Sequence, residues 1–280
     1  MDIVHAIILG IVEGITEFLP VSSTGHLTIV EKLMGYQIDS TAMTAFTAII
    51  QIGAILAAVV YFWKDIVRVA SAWVVGLFNA RKRTFDYRFG WYIILGSIPI
   101  AAVGLLFKHE IETSLRSLWF IVGGLILWAG VMWYADRYED KLRKPRGEET
   151  VSWRDTLIVG LVQCIALIPG VSRSGATISA GLLRGIDRVS ATRLSFFLGI
   201  PALAAAGLLE SATQAKHISE GIGWTPTIVA AVVSFGVGYI AIAWLLKFIS
   251  RHDFSVFIWY RVALGVLIAV LLLTKTIGAV

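Results

Sequence analysis

Six stretches of this chain run for about the length of a membrane-crossing helix with almost no charge: TAFTAIIQIGAILAAVVYFW (44–63), WYIILGSIPIAAVGLLF (91–107), SLWFIVGGLILWAGVMWYA (117–135), LSFFLGIPALAAAGLL (194–209), WTPTIVAAVVSFGVGYIAIAWLL (224–246) and FSVFIWYRVALGVLIAVLLLT (254–274). Each approaches the roughly 20 residues a helix needs to cross about 30 Å of hydrocarbon. Trp91, Tyr92, Trp133, Tyr134 and Trp224 stand at run ends, where amphipathic rings meet the membrane interface. The pattern predicts six full spans. Two further apolar stretches, 2–35 and 153–185, behave differently, because each is interrupted by proline, glycine and serine into two runs too short to cross. Proline lacks an amide hydrogen and disfavours helix in the residue before it, so Pro20 and Pro169 are expected to end the first run of each. Both stretches read as re-entrant helical hairpins, whose broken backbone needs protein or a wet cavity around it.

The two broken stretches align without gaps at an offset of 150 residues: Gly10, Val12, Ile15, Val21, Ser22 and Gly25 recur as Gly160, Val162, Ile165, Val171, Ser172 and Gly175, and Phe46 recurs as Phe196. Each half then holds one hairpin and three spans, and an odd number of crossings inverts the second half relative to the first. The expected architecture is one all-α integral membrane domain, 1–280. Its first repeat is 1–135 with the hairpin 2–35, a cytoplasmic loop follows at 136–152, and the inverted second repeat is 153–280 with the hairpin 153–185.

Composition agrees with this reading: 57% of the 280 residues are hydrophobic, 15% are charged, and mean hydropathy is +0.79. The net charge of +5 points to topology rather than nucleic acid, because the basic residues collect between apolar runs. Placing loops 64–90 and 136–154, with Arg184, Arg188, Arg193, Lys247 and Arg251, in the cytoplasm puts 17 basic residues there, against five opposite: Lys32, Lys108, Arg116, Lys216 and Lys275. That imbalance follows the positive-inside rule and places both termini outside. The acids within the first apolar run are unlike a cleaved signal peptide, so the N-terminus is expected to be retained. The single cysteine, Cys164, excludes an internal disulfide.

The polar residues of EGITEFLPVSSTGH (13–26) are costly in hydrocarbon. Glu13 and Glu17 lie four residues apart, so a helix projects both carboxylates from one face. Acids at such depth call for a cation, a proton or water; snorkelling at a hairpin mouth is the structural alternative. Hard oxygen ligands suit Mg2+ or Ca2+, with phosphate oxygens completing the shell. Ser22, Ser23 and Thr24 can cap the following helix, and Ser172 and Ser174, in GVSRSG, repeat the device; simple capping is one reading, and two helix N-termini offering an anion site with Gly25 and Gly175 is the other. Arg173 is a fork-shaped donor suited to phosphate. A lone histidine is more often structural, but the company of His26 favours acid–base or nucleophilic work. A cation site, an anion site and a nucleophile candidate together suit phosphoryl transfer.

EGITEFLPVSSTGH and GLVQCIALIPGVSRSGATISAGLL, with GSIPIAAVGLLF and FSVFIWYRVALG, resemble the bacterial undecaprenyl-pyrophosphate phosphatases associated with bacitracin resistance, along the whole chain. The resemblance implies hydrolysis of undecaprenyl pyrophosphate to undecaprenyl phosphate and inorganic phosphate, recycling the lipid carrier of cell-wall synthesis. It implies a plasma-membrane enzyme, divalent-metal dependent, open to the periplasmic side, with bacitracin competing for the substrate and a homodimer as a possible assembly. By matching position, Glu13 and Glu17 bind metal or act as base, Ser23 and His26 are the nucleophile candidates beside water, and Arg173 holds phosphate. Ser22, Thr24, Ser172 and Ser174 orient the head group.

A transporter or flippase of a phosphorylated polyprenyl lipid is the rival, since inverted repeats with broken helices also serve alternating access. The acid-phosphatase-like lipid phosphatases are excluded by the missing lysine-to-arginine-proline motif and second histidine. Within 64–90, IVRVASAWVVGLFNA is either an interfacial amphipathic helix or a plain loop. Arg261 is expected to snorkel to the cytoplasmic surface rather than join the site from behind.

Overall fold

Caps and prolines decide where the helices begin and end. The computed structural model describes residues 1–38, 40–107 and 117–278, with backbone alone at 214, 215 and 220. Helix α1 (Ile3–Thr16) starts behind Asp2, whose side chain accepts from the His5 amide. Pro20 has no N–H to give the Thr16 carbonyl, so regular helix stops four residues before the proline rather than at it. The chain turns and α2 (Ser23–Leu33) begins. The second break follows the same course: α7 (Trp153–Gln163) tightens into a 3-10 turn (Cys164–Leu167) ahead of Pro169, and α8 (Arg173–Leu183) follows.

All six expected spans are helices long and apolar enough to cross a membrane: α3 (Thr41–Tyr61), α5 (Phe85–Leu106), α6 (Leu118–Asp140), α9 (Arg188–Glu220), α10 (Trp224–Ile249) and α11 (Ser255–Leu273). The protein is therefore an all-α, multi-pass integral membrane protein. α5 and α9 start six residues earlier than their apolar runs, because polar first turns escape a hydropathy reading; Asp187 caps α9 by accepting from the Ser190 amide at 2.8 Å. Residues 63–78 form α4 (Trp63–Phe78), which removes the plain-loop alternative; Val67, Val74, Val75 and Phe78 on it are exposed. Lys108, His109 and Arg116 lie outside the described residues.

The broken helices cross between the halves of the chain. α1 lies along α10, and α7 lies along α5. Both crossings need glycine at equivalent positions: a Cβ on Gly10 would overlap the Ala230 carbonyl, and one on Gly160 the Gly96 carbonyl. α3 packs against α9 and α10, and α6 against α8 and α11, around a core in which Phe18 meets Phe196 edge-on at 5.4 Å. At one end the basic loops are knitted by ion pairs: Arg188 with Asp136, Glu139 and Asp140; Arg193 with Asp65 and Glu148; Arg146 and Arg184 with Asp155. These pairs bring Asp65 of the 64–90 stretch and Arg146 and Glu148 of the 136–154 stretch together with Arg184, Arg188 and Arg193.

Candidate active site

Glu17 is the C-cap of α1 and still donates its amide to the Glu13 carbonyl, at 2.9 Å, so the two carboxylates keep the one-face spacing of a helix. Both are buried, at 1% and 5% exposure. Glu17 links the two breaks. Its Oε2 accepts from Ser23 Oγ at 2.8 Å and from Gln51 Nε2 at 3.4 Å, while Oε1 accepts from Arg173 Nε at 3.4 Å and Nη2 at 3.2 Å. The Arg173 and Glu17 side chains are only 9% and 4% exposed, so this pair is shielded from water. The remaining arm of Arg173 donates to the Ser195 carbonyl at 3.0 Å, and Gly199 supplies the room: a Cβ there would overlap Nη1.

Beside this pair lies a cavity of about 410 Å3. Glu13, Ser23, Thr24, Thr28, Glu31, Thr44, Thr47, Gln51 and Glu210 give it polar walls, while Leu27, Met43, Ile121 and Leu167 give it apolar ones. Among the described residues that line it, none is basic. Glu13 Oε1 is buried and makes no hydrogen bond. A diphosphate could enter this acidic space only with positive charge beside it. An unpartnered carboxylate oxygen near hydroxyl and amide oxygens is a donor set suited to a hard divalent cation, so the residues fit the implied metal. Among the described residues, no three His, Cys, Asp or Glu side chains converge as a ready-made cage, so substrate oxygens would have to complete the shell.

The other expected residues divide between chemistry and framework. Ser22 and Ser172 take a left-handed backbone, φ 76° and 75°, and their hydroxyls accept from the Gly25 and Gly175 amides at 3.3 and 3.2 Å. Ser174 Oγ lies 3.1 Å from Ser172 Oγ and donates to the Leu19 carbonyl at 3.1 Å, fastening one break to the other. These serines cap and join the helices, and none of residues 172–175 lines the cavity. Only the N-terminus of α2, through Ser23 and the exposed Thr24, faces it; α8 is turned toward the first break by the Ser174 and Arg173 contacts. His26 is not brought to the carboxylates: Nδ1 lies 2.7 Å from the Ser22 carbonyl, and Nε2 lies 2.7 Å from Tyr260 Oη.

Arg261 corrects the snorkelling expectation. Its side chain is fully buried and donates to the carbonyls of Pro20 (3.0 Å), Gly124 (3.1 Å), Leu125 (3.4 Å), Gly170 (2.9 Å) and Val171 (2.9 Å). It holds both breaks at once, because the proline turns free carbonyls that only a multi-armed buried donor can satisfy. Sequence reading also passed over Gln51, Glu31 and Tyr260. A lone amide inside the 44–63 run, and an acid inside LTIVEKLM, were the available signals for the first two.

The sequence profile of the family described as bacitracin resistance protein BacA matches residues 6–267. Full-length relatives include undecaprenyl-diphosphatase 3 of Frankia casuarinae, 60% identical over 100% of both chains, and an undecaprenyl-diphosphatase of Cutibacterium acnes, 58% identical over 100% of both. Undecaprenyl-diphosphatase 1 of Streptomyces avermitilis is 51% identical over 99% of each. With the two signature stretches converging on Glu17, and the match running nearly end to end, this chain belongs to the bacitracin resistance protein BacA family.

Proposed function

We propose that the chain hydrolyses the phosphoanhydride of undecaprenyl pyrophosphate, giving undecaprenyl phosphate and inorganic phosphate, and so recycles the lipid carrier and confers bacitracin resistance. Family membership and the names of the full-length relatives support the reaction. The observation that carries it in the site is Glu17, held by Arg173 on one side and accepting the Ser23 hydroxyl proton on the other.

In the mechanism this supports, Ser23 Oγ attacks the terminal phosphorus as its proton passes to Glu17 Oε2. The bond from that phosphorus to the bridging oxygen breaks, and the electron pair leaves with undecaprenyl phosphate. Glu17 passes the Ser23 proton to the departing undecaprenyl phosphate oxygen. Water then attacks the phosphoserine, giving up a proton to Glu17, and the P–Oγ bond breaks as Glu17 returns this proton to Ser23 Oγ, releasing inorganic phosphate. Arg173 pairs with Glu17 and orients it at rest, and could reach a phosphate only by exchanging part of that contact. A divalent cation at Glu13 would neutralise phosphate charge when bound. Glu13 and Ser23, both on the cavity wall, would present oxygen ligands to the head group, with Leu27, Met43, Ile121 and Leu167 beside it.

The halves form an inverted repeat of one re-entrant hairpin plus three spans each, 1–135 and 153–280, in the bacterial plasma membrane. The reciprocal crossings of α1 with α10 and α7 with α5, through equivalent Gly10 and Gly160, support this. The basic ion-paired end faces the cytoplasm by the positive-inside rule, leaving both termini and the cavity mouth outside, where bacitracin competes for the substrate. Phosphate release from undecaprenyl pyrophosphate by the purified full-length chain tests the function. Glu17→Gln and Ser23→Ala are each expected to lower kcat about 100-fold or more, the scale of removing a preorganised group. Lipid translocation without phosphate release would favour a flippase instead.

A further inference from the structure

The two breaks share a strained serine but are braced differently. Ser22 and Ser172 both sit at positive φ, a conformation that a non-glycine residue keeps only where its surroundings hold it. In the second break Arg261 Nη2 takes both carbonyls ahead of Ser172, those of Gly170 and Val171; in the first, Nη1 reaches only that of Pro20. At Ser172 the carbonyl accepts from the Ala176 amide at 2.9 Å, and alanine has nothing to add. The equivalent residue in the first break is His26, which donates its amide to the Ser22 carbonyl at 3.2 Å and sets Nδ1 2.7 Å from the same oxygen.

A carbonyl oxygen can only accept, so Nδ1 must carry the proton. In the neutral ring Nε2 is then the acceptor, and the Tyr260 hydroxyl, 2.7 Å away, donates to it. The rings stack with centroids 5.5 Å apart and 7° between their planes. With both nitrogens engaged and His26 off the cavity wall, the imidazole is not poised to touch phosphorus or the Ser23 hydroxyl. Tyr260 and Arg261 are consecutive on α11, so one turn of that helix steadies both breaks.

We propose that Tyr260 is a positioning residue for the hydrolysis: it fixes His26 as the Nδ1–H tautomer, and His26 in turn holds the Ser22 turn that aims Ser23 at the cavity. The proposal rests on the hydrolase reading above. It gives His26 a role exerted through the backbone, in place of nucleophile or base.

Tyr260→Phe keeps the stacked ring and removes only the hydroxyl. Steady-state phosphate release from undecaprenyl pyrophosphate should show kcat lowered about 10-fold with KM within about twofold, a loss confined to the reacting step. His26→Ala should lose at least as much, and the double variant no more than His26→Ala alone, as for residues acting in series. Nitrogen NMR of histidine-labelled protein, with His26→Ala assigning the signal, should show one protonated Nδ1 in the native chain and tautomer exchange in Tyr260→Phe. Wild-type kcat in Tyr260→Phe, multiplying losses in the double variant, or an unaltered His26 tautomer would overturn the proposal. So would a loss beyond about 1000-fold in His26→Ala with Tyr260→Phe near native, the mark of a direct proton-transfer or nucleophilic role. A native chain that releases no phosphate would defeat the hydrolase reading and, with it, the assignment of Tyr260 to that reaction; the NMR arm reports separately on the tautomer lock.

Discussion

Replacing Arg261 by methionine keeps an apolar stem of similar reach and deletes every donor at the junction of the two breaks. Five carbonyls lose a partner, but they are not equivalent. Those of Gly124 and Leu125 lie within α6 and keep their helical hydrogen bonds. Those of Pro20, Gly170 and Val171 lie in the breaks, outside regular helix, and are left empty. A buried acceptor without a partner costs about 1–3 kcal/mol, so three cost roughly 3–9 kcal/mol. Removing the buried guanidinium returns some of its desolvation penalty, which leaves a net cost of about 3–5 kcal/mol, as found when one member of a buried charged arrangement is deleted. For a chain of this size that corresponds to a thermal midpoint lower by about 6–20 °C. Arg261→Lys should fall almost as far, since one ammonium cannot span from Pro20 to Gly170. The check is the thermal midpoint of detergent-solubilised protein at a fixed scan rate, with phosphate release measured below the transition. Methionine at 261 with a midpoint within about 2 °C of native and native turnover would refute the reasoning, because the three carbonyls would then have found other partners.

Two further outcomes follow from the same geometry. Gly199→Ala adds a helix-favouring residue inside α9 but drives a Cβ into the Arg173 guanidinium. Stability should change by less than about 1 kcal/mol while kcat falls about tenfold or more, so a native turnover number would show that Arg173 need not sit where it does. Asp155 lies outside the six long apolar helices. Burial raises its pKa, but hydrogen bonds from Arg146, Ser152 and Arg184 more than offset this and hold the carboxyl well below the usual range. A folded pKa below the unfolded one gives stability that is present above about pH 4 and lost as pH falls toward the folded value. Because both arginines are more than a third exposed, Asp155→Asn should cost only about 1–2 kcal/mol at neutral pH. It should also flatten the acid limb of a stability-against-pH curve, and an unchanged limb would count against the assignment.

The spans were legible because twenty apolar residues in a row have few alternatives, and the breaks because Pro20 and Pro169 interrupt such rows while hydroxyls and glycines recur at a fixed offset. The reading of the two motifs as one anion site also anticipated that the breaks meet, as Glu17 and Arg173 do. What stayed hidden depends on partners far away along the chain. Arg261 in an apolar run reads as a charge seeking water, since nothing local announces carbonyls set free 91 and 241 residues earlier. The serines were ambiguous for a different reason: a hydroxyl that caps a helix and one that orients a phosphate have the same sequence signature. Only Gly25, Gly175 and Leu19, as observed partners, separate the two.

The repeat proposed above would offer a site at each break, and the residues show why the acids gather at the first. At the 150-residue offset Glu13 becomes Gln163, Glu17 becomes Leu167, Ser23 becomes Arg173 and His26 becomes Ala176, whereas the framework pairs Ser22 with Ser172 and Gly25 with Gly175 are kept. A faithful copy would bring a second pair of buried acids to the same junction, and like charges at that depth repel strongly. The second half instead keeps the turn geometry, loses the acids and places a fixed positive charge where the first half has its nucleophile candidate. Neither half is then complete: Ser23 without Arg173 has a base with no counter-charge, and Arg173 without Glu17 is a buried cation with no anionic partner. Because α1 packs on α10 and α7 on α5, this single composite site can form only when both halves have folded around each other.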